Sequence, residues 1–439
     1  MNNQEPLIKP LIELNEWQSV KSDKIKEAFG EIFLSEKDLH QCDALTQKRF
    51  IEIIDHRKGI SIQTRSYVGR LSFDAFDLQI NPKLDQLPLI NMFKYGYQLK
   101  NMHFFDSHNL QAGEQAIQDL IINQLLNEVQ RLLRRGLFQN YQEKKQSLTA
   151  IRGRVDFARY FSNCSTASNV IPCVHHPRTF DNELNQFIKS GLKFAGSITI
   201  DPNLKLECLR VSSLIPASEK NRKHLALLYK QVCRKSSRLN NQYQPAIDII
   251  RLLLGGEGAL LDGEITSIPI PGFLFDMNIL FQNVISRFLH ENAKGCDVLD
   301  EYSLKGMMVF TRSSRPIKRG NPTPRPDFVI KKDKEIVAIL DAKYRDLWVN
   351  PLPREMLYQL GMYALVHNDI RKATILYPTT SSNACTEKII INDPIKGNYQ
   401  GSVILCPVNI FKLEEMILLP ASAVNNRVKS GFAEYMIFW

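Results

Sequence analysis

Two short stretches of the chain hold residue types suited to phosphate chemistry, Arg325-Pro-Asp-Phe-Val-Ile330 and Ile339-Leu-Asp-Ala-Lys-Tyr344. Both read as strands, over 326–330 and 336–344, around a polar turn at 331–335. Asp341 and Lys343 stand two apart, so their side chains leave one face of the second strand. If Ile330 lies opposite Ile336, Asp327 faces Ile339 and sits diagonal to Asp341, roughly 7–8 Å away before twist. A one-step change in register brings the two acids closer to directly opposite. Either arrangement lets two carboxylates converge on one hard cation.

Magnesium prefers oxygen ligands and keeps several waters, so Asp327 and Asp341 suffice as its protein ligands beside a phosphate oxygen; manganese is the alternative ion. Such an ion neutralises phosphate charge and lowers the pKa of a water molecule, which is the chemistry of phosphodiester hydrolysis. Lys343 is placed to orient or help deprotonate that water and to stabilise charge developing on phosphorus. A lone Asp-x-Lys reads more readily as a surface ion pair at a strand end. The Pro-Asp strand before it, the apolar run into it and the helix after it favour the catalytic reading.

That helix, 354–366, carries Gln359 and Tyr363 four residues apart on one face. Gln359 is positioned to bond a DNA phosphate or a water of the metal, and Tyr363 to hold the strand; a half-buried polar pair closing the helix on the sheet is the alternative. The basic stretch 312–325, with Arg315, Lys318, Arg319 and Arg325, reads either as a loop tracking a phosphate backbone or as a solvated one.

The elements that must position these residues follow from periodicity. Segments 59–65 and 69–80 alternate apolar and polar residues, as half-buried strands do, with Leu71, Phe73, Leu78 and Ile80 inward and a turn near Ala75. From 113 to 136 the period becomes helical, and Arg131, Arg134 and Arg135 before Gly136 suit a helix C-terminus, with DNA contact as the other reading. Residues 145–260 read as mainly helical, with helices expected at 180–194, 219–235 and 245–254. A helix over 276–291 puts Met277, Leu280, Phe281, Val284, Ile285 and Phe288 inward, and a short strand falls at 373–377. The fold class expected is α/β and multi-domain: a β-rich region over 1–110, a mainly helical region over 111–262, and an α/β domain with a mixed central sheet over 263–439.

The chain has 439 residues, 44% hydrophobic and 23% charged, with a formal net charge of +10. That balance describes a globular protein with some preference for polyanions. No apolar run reaches the roughly 20 residues that span a bilayer. The start, MNNQEPLIKP, has no signal-peptide core, and the eight cysteines include no Cys-x-x-Cys pair, so a cytoplasmic location is expected. The Gly-rich segment 255–264 lacks the Lys-Ser/Thr of a phosphate loop, so any nucleoside triphosphate hydrolysis falls to another subunit.

Pro326-Asp327 with Asp341-Ala342-Lys343 resembles the PD-(D/E)xK nuclease signature, and Gln359-x-x-x-Tyr363 resembles the motif of its RecB-like branch. Further pieces, in order, resemble the McrC family, the nuclease component of McrBC-type restriction systems. They are Ile80-Asn-Pro-Lys-Leu84, Arg134-Arg-Gly-Leu137 with Tyr141, Ile151-Arg-Gly-Arg-Val-Asp156, Asp181-Asn182 with Asn185, and Leu274-Phe-Asp-Met-Asn-x-Leu-Phe281. The resemblance runs from about Val68 onward. It implies a Mg2+-dependent endonuclease acting on double-stranded DNA, with Asp327 and Asp341 as metal ligands and Lys343, Gln359 and Tyr363 completing the site. It also implies a McrB-like hexameric AAA+ GTPase partner that takes the pre-nuclease region, 111–262, into its channel, and allows dimerisation through the nuclease domain. Where such nucleases often carry a glutamate on the first helix, this chain has Gln282. The competing functions are a freestanding RecB-like repair nuclease and a non-catalytic assembly factor for a partner NTPase.

Overall fold

The alternation read at 69–80 folds as two strands, Tyr67–Ser72 and Asp77–Asn81, with Leu71, Phe73, Leu78 and Ile80 all buried. The turn between them closes through the Phe73 N–H on the Phe76 carbonyl at 2.9 Å. Asp38, fully buried, accepts from the Asp74 N–H at 2.8 Å and so fixes that turn from the neighbouring helix Glu36–Gln47. The computed structural model describes residues 9–56, 59–83, 86–97, 117–162, 170–199, 201–219, 222–234, 242–255, 272–310, 321–366 and 371–439. Contacts group the chain into two units, one of Met1–Val68, Phe73–Asn101 and Leu274–Trp439, the other of Gly69–Ser72 and Met102–Phe273. The breaks expected near 110 and 262 lie outside the described residues, as does the basic stretch up to 320.

In the first unit, Leu11–Asn15 runs parallel to Asp77–Asn81, and Glu52–His56 pairs with Gly59–Gln63 as an antiparallel hairpin. The N-terminal region is less purely β than its sequence suggested. Helices Ser22–Phe29, Glu36–Gln47 and Gln86–Gly96 lie among the strands. The second of these begins at a capping box of Ser35 and Asp38, a local signal that outweighs its weak apolar stripe.

The C-terminal part of this unit is a mixed six-stranded sheet. Its spatial order is Asp297–Asp300, Phe328–Lys332, Glu335–Ala342, Lys372–Thr379, Tyr399–Asn409 and Glu387–Asn392. The three strands starting at 335, 372 and 399 are parallel neighbours, and the others pair antiparallel. The expected register of the 328–342 hairpin is corrected here. Ile330 pairs with Ala338, not Ile336, because the turn tightens to Asp333 and Lys334 (φ +51° and +72°) and a bulge follows at Ile330/Lys331. Helix Arg354–Val366 crosses over between the first two parallel strands and buries Leu360, Tyr363 and Ala364 against Ile339, Ile375 and Val403. The expected inward stripe of helix Met277–Asn292 is wholly buried.

The second unit opens with helix Ile117–Arg135, which stops at Gly136 in the left-handed region (φ +93°). The mainly helical reading of the region after it fails between 144 and 175. There Lys144–Leu148, Arg154–Val155 and Ile171–His175 form a three-stranded antiparallel sheet. Gly153 explains the local choice: its φ is +74°, and a Cβ there would stand 2.5 Å from the Val174 carbonyl oxygen. Helices Glu183–Ile198, Pro202–Ser213, Arg222–Arg234 and Gln244–Gly255 complete the unit. Asn185, fully buried, ties it together by donating to the carbonyls of Phe138 (2.9 Å) and Phe180 (2.7 Å) and accepting from the Tyr243 hydroxyl (2.7 Å).

Among the described residues no helix is long and apolar enough to cross a membrane. One buried carboxylate stands out in the first unit. Glu16 is 1% exposed; its Oε1 accepts from the Lys83 N–H at 2.7 Å and the Tyr344 hydroxyl at 3.0 Å. Burial pushes its carboxyl up to about 7, against the pull of those two donors and the Lys83 charge. The folded state therefore binds more protons than the unfolded chain between about pH 4.5 and 7, so the Glu16 contribution to stability falls as pH rises through that window. Glu16→Gln should melt above the wild type at pH 8, by about 1–3 kcal/mol of stability, with the difference shrinking by pH 4.5. Paired thermal melts across pH 4.5–8 check this, and a pH-independent difference would refute it.

Candidate active site

The corrected register decides the geometry. Phe328 pairs with Leu340, so Asp327, one residue before its strand, comes level with Asp341. Two like charges facing each other across a sheet repel, and the neighbouring groups answer that repulsion. Asp327 Oδ2 accepts from the Ala342 N–H at 2.8 Å, and Lys343 Nζ lies 3.4 Å from the same oxygen. Lys343 Nζ also lies 3.0 Å from Asp341 Oδ2 and so bridges both acids. The Lys343 N–H is held by the Leu376 carbonyl at 3.0 Å, which extends the parallel ladder past Ala342.

Asp341 is 2% exposed. Burial is the main reason its carboxyl is pushed up to about 6; the Asp327 charge adds to this and Lys343 opposes it. For Lys343 burial works downward, but the charges of Asp341 and Asp327 outweigh it and hold the ammonium above its usual range. Lys343 is thus a cation in this arrangement.

Helix Met277–Asn292 supplies a fourth group. Gln282 Nε2 donates to Asp327 Oδ1 at 3.2 Å, so the position faces the acids and not the outer side of the helix. Tyr363 is buried, and burial is the main reason its phenol is raised; the Gln359 hydrogen bond opposes this and the charges of Asp341 and Asp327 add to it. Gln359 is exposed and donates from Nε2 to the Tyr363 hydroxyl at 3.0 Å. The structure therefore joins Gln359 to Tyr363 and packs Tyr363 in the core cluster that holds Ile339 and Ile375. Arg325 is exposed, two residues before Asp327.

Sequence reasoning missed the groups that pin the strand end. Asn278 Oδ1 accepts from the Tyr344 N–H at 3.2 Å, immediately after Lys343. Asn278 Nδ2 donates to Ser66 Oγ at 2.6 Å and to Asp276 Oδ1 at 3.1 Å, and Ser66 Oγ donates to Asp276 Oδ1 at 3.1 Å. Asp276 also caps the helix through the Asn278 N–H. The available signal was a pair of polar residues within the apolar run 274–281.

No group of three or more His, Cys, Asp or Glu side chains among the described residues forms a preassembled metal cage. The donor set still fits a hard cation that keeps most of its waters: two acid side chains brought level across a hairpin, with one ammonium already bridging them. A divalent ion there would relieve the burial and repulsion that raise Asp341.

The fold and site together define an α/β protein whose mixed sheet presents paired carboxylates and a lysine at one strand end. The sequence profile of the McrBC 5-methylcytosine restriction system component family matches residues 62–378, well over half of the chain. The chain belongs to that family. Among solved structures it is similar to a half-complex from a tetradecameric assembly of Thermococcus gammatolerans McrB AAA+ hexamers with bound McrC, at 19% identity and TM-score 0.61, covering 96% of this chain and 99% of that one. It also matches a Thermococcus gammatolerans McrBC complex, at 19% identity and TM-score 0.44, over 64% of this chain and 87% of that one. No curated protein matches the chain.

Gln282→Glu adds a third carboxylate beside Asp327. Without a divalent cation the added repulsion should lower the melting temperature, and the rise on adding magnesium or manganese should exceed that of the wild type. Thermal melts in chelator and in each metal measure this; an identical metal-induced rise in both proteins would remove Gln282 from the site.

Proposed function

We propose that this chain is the nuclease subunit of a restriction complex, cutting double-stranded DNA by metal-assisted hydrolysis with a PD-(D/E)xK site. The observation that carries the reading is Asp327 level with Asp341, bridged by Lys343 at 3.0 and 3.4 Å. Asp327 and Asp341 would hold a magnesium or manganese ion, which when bound neutralises phosphate charge and lowers the pKa of water. Lys343, held as an ammonium by its two neighbours, suits charge stabilisation at phosphorus better than proton abstraction. Gln282 orients Asp327 through its amide, and Tyr363 with Gln359 borders the site from the crossover helix.

The same reading includes a partner. The similar Thermococcus gammatolerans chain is McrC bound to McrB AAA+ hexamers, and this chain carries no phosphate loop of its own. Its second unit exposes Tyr141, Ile151, Phe157 and Phe161 along with Arg134, Arg135, Arg152 and Arg154, an apolar and basic surface suited to docking in the channel of a hexameric GTPase. Nucleotide hydrolysis and recognition of modified DNA then belong to that partner.

Asp341→Ala and Lys343→Ala should each abolish plasmid nicking in magnesium and GTP with the partner ring present, while still assembling with the ring. The isolated chain should hydrolyse no nucleotide, and both variants should stimulate the ring as the wild type does. Nicking assays, melting curves and GTPase rates test this together. Wild-type cutting by either folded variant would overturn the site, whereas no cutting by the wild type with full stimulation would leave an assembly factor.

A further inference from the structure

Past the carboxyl ends of the parallel strands Glu335–Ala342 and Lys372–Thr379 lies a cavity of about 520 Å³. Tyr344 and Arg345 line it after the first strand, Thr379 at the end of the second, and Glu16, Trp17 and Lys83 from the N-terminal part of the same unit. Ligands of open α/β sheets bind outside the carboxyl ends of parallel strands, and the volume is that of a small-molecule or single-nucleotide site. The cavity wall begins one residue after Lys343. At about 3.3 Å per residue it starts within roughly 10 Å of Asp341, about three nucleotides along a DNA strand.

Three features of the wall point to one ligand class. Trp17 sits at φ +58°, a backbone conformation strained for a bulky residue, fixed by its N–H on the Arg65 carbonyl at 3.1 Å. That conformation accompanies an indole left 37% exposed, with the Arg345 guanidinium 5.5 Å from the ring centre. Arg345 and Lys83 give the cavity two cations. Glu16, on the same wall, keeps its Oε2 buried with no hydrogen-bond partner, leaving unused bonding capacity for a polar group. Asp346 also lines the wall, its carboxylate engaged by the Trp348 N–H and the Thr379 hydroxyl, which leaves an aromatic face, two cations and the Glu16 carboxyl for a nucleotide: a surface for the base, charge for the phosphate, and a partner for a ring nitrogen or amino group.

We propose that this cavity is a nucleotide subsite holding one nucleotide of the DNA strand within about three nucleotides of the phosphate cut at Asp327 and Asp341. The base lies against Trp17, and Arg345 and Lys83 hold its phosphate. Stacking accepts any base, so the subsite fixes the strand's position and adds no sequence preference. The inference rests on the proposed nuclease function, and its test separates the two. Full-length wild type, Trp17→Ala, Trp17→Phe, the double variant Lys83→Ala/Arg345→Ala, and Asp341→Ala are titrated with a fluorescein-labelled duplex oligonucleotide in chelator over a series of salt concentrations, and melted alongside. Trp17→Ala should bind about 10-fold more weakly, with Trp17→Phe close to wild type. The double variant should lose about one unit of slope in log affinity against log salt, since both cations hold one phosphate. Asp341→Ala should fail to cut in magnesium. Wild-type affinity and salt slope in Trp17→Ala and the double variant would overturn the subsite; no magnesium-dependent cutting by the wild type with the partner ring and GTP present would overturn the nuclease reading and leave the binding result standing. Should Trp17→Ala melt early, Trp17→Leu replaces it, and Lys83→Gln/Arg345→Gln replaces an unstable double variant; each carries the expectation of the variant it replaces, and wild-type affinity and salt slope in both would overturn the subsite.

Discussion

Two carboxylates held level across an antiparallel hairpin repel each other, and much of the first unit is organised around keeping them there. Asp341 bears most of the burial and Asp327 most of the compensating contacts: a backbone N–H, an amide and an ammonium all reach the latter. Removing the ammonium would leave a buried charge facing a second one, a situation more costly than most lost hydrogen bonds. The site is therefore stable only as a set. Its internal cation satisfies the acids in the absence of any other, and an incoming divalent ion would compete with Lys343 for them without having to create the pocket.

Precision of this kind comes from elements remote in sequence. The crossover helix Arg354–Val366 packs its buried face, Tyr363 included, on the sheet below the strand that carries Asp341. Helix Met277–Asn292 supplies Gln282 two turns from an N-terminus that is itself locked by Asp276, Asn278 and Ser66. Tyr344 is the hinge of these restraints, its N–H on Asn278 and its hydroxyl on Glu16. A rigid scaffold of this type holds side chains within the tolerance that the proposed hydrolysis would demand.

Much of the site was legible because strand alternation and an apolar helix stripe are local signals. Asp341 and Lys343 two apart, the buried stripe from Met277 to Phe288, and helix 354–366 needed no tertiary information. What was hidden depended on single-residue shifts. The two-residue turn at Asp333 and Lys334 and the bulge beside it moved Asp327 from opposite Ile339 to level with Asp341. Gln282 could be placed on either side of its helix until the sheet beneath it was known. The sheet at 144–175 escaped notice because its strands are short and the first of them, Lys144–Leu148, is polar, and its determining feature is the space denied to a Cβ at Gly153. Glu16 and Ser66 gave no signal, since their partners stand some 328 and 210 residues away.

The chain leaves the first unit after Asn101 and returns to it only at Leu274. During synthesis the ribosome must therefore complete all of Met102–Phe273 before the two halves of that unit can meet. At about 5–20 residues per second the delay is roughly 10–35 s. Ser66 and Glu16 wait through it with their polar groups lacking Asp276 and Tyr344, and Asp327 and Asp341 do not yet exist. A nascent chain stalled late in that interval carries the surface proposed for a partner and none of the groups proposed to cut. Under the proposed function the order of the gene keeps recognition ahead of chemistry, a safeguard that a contiguous unit would not provide.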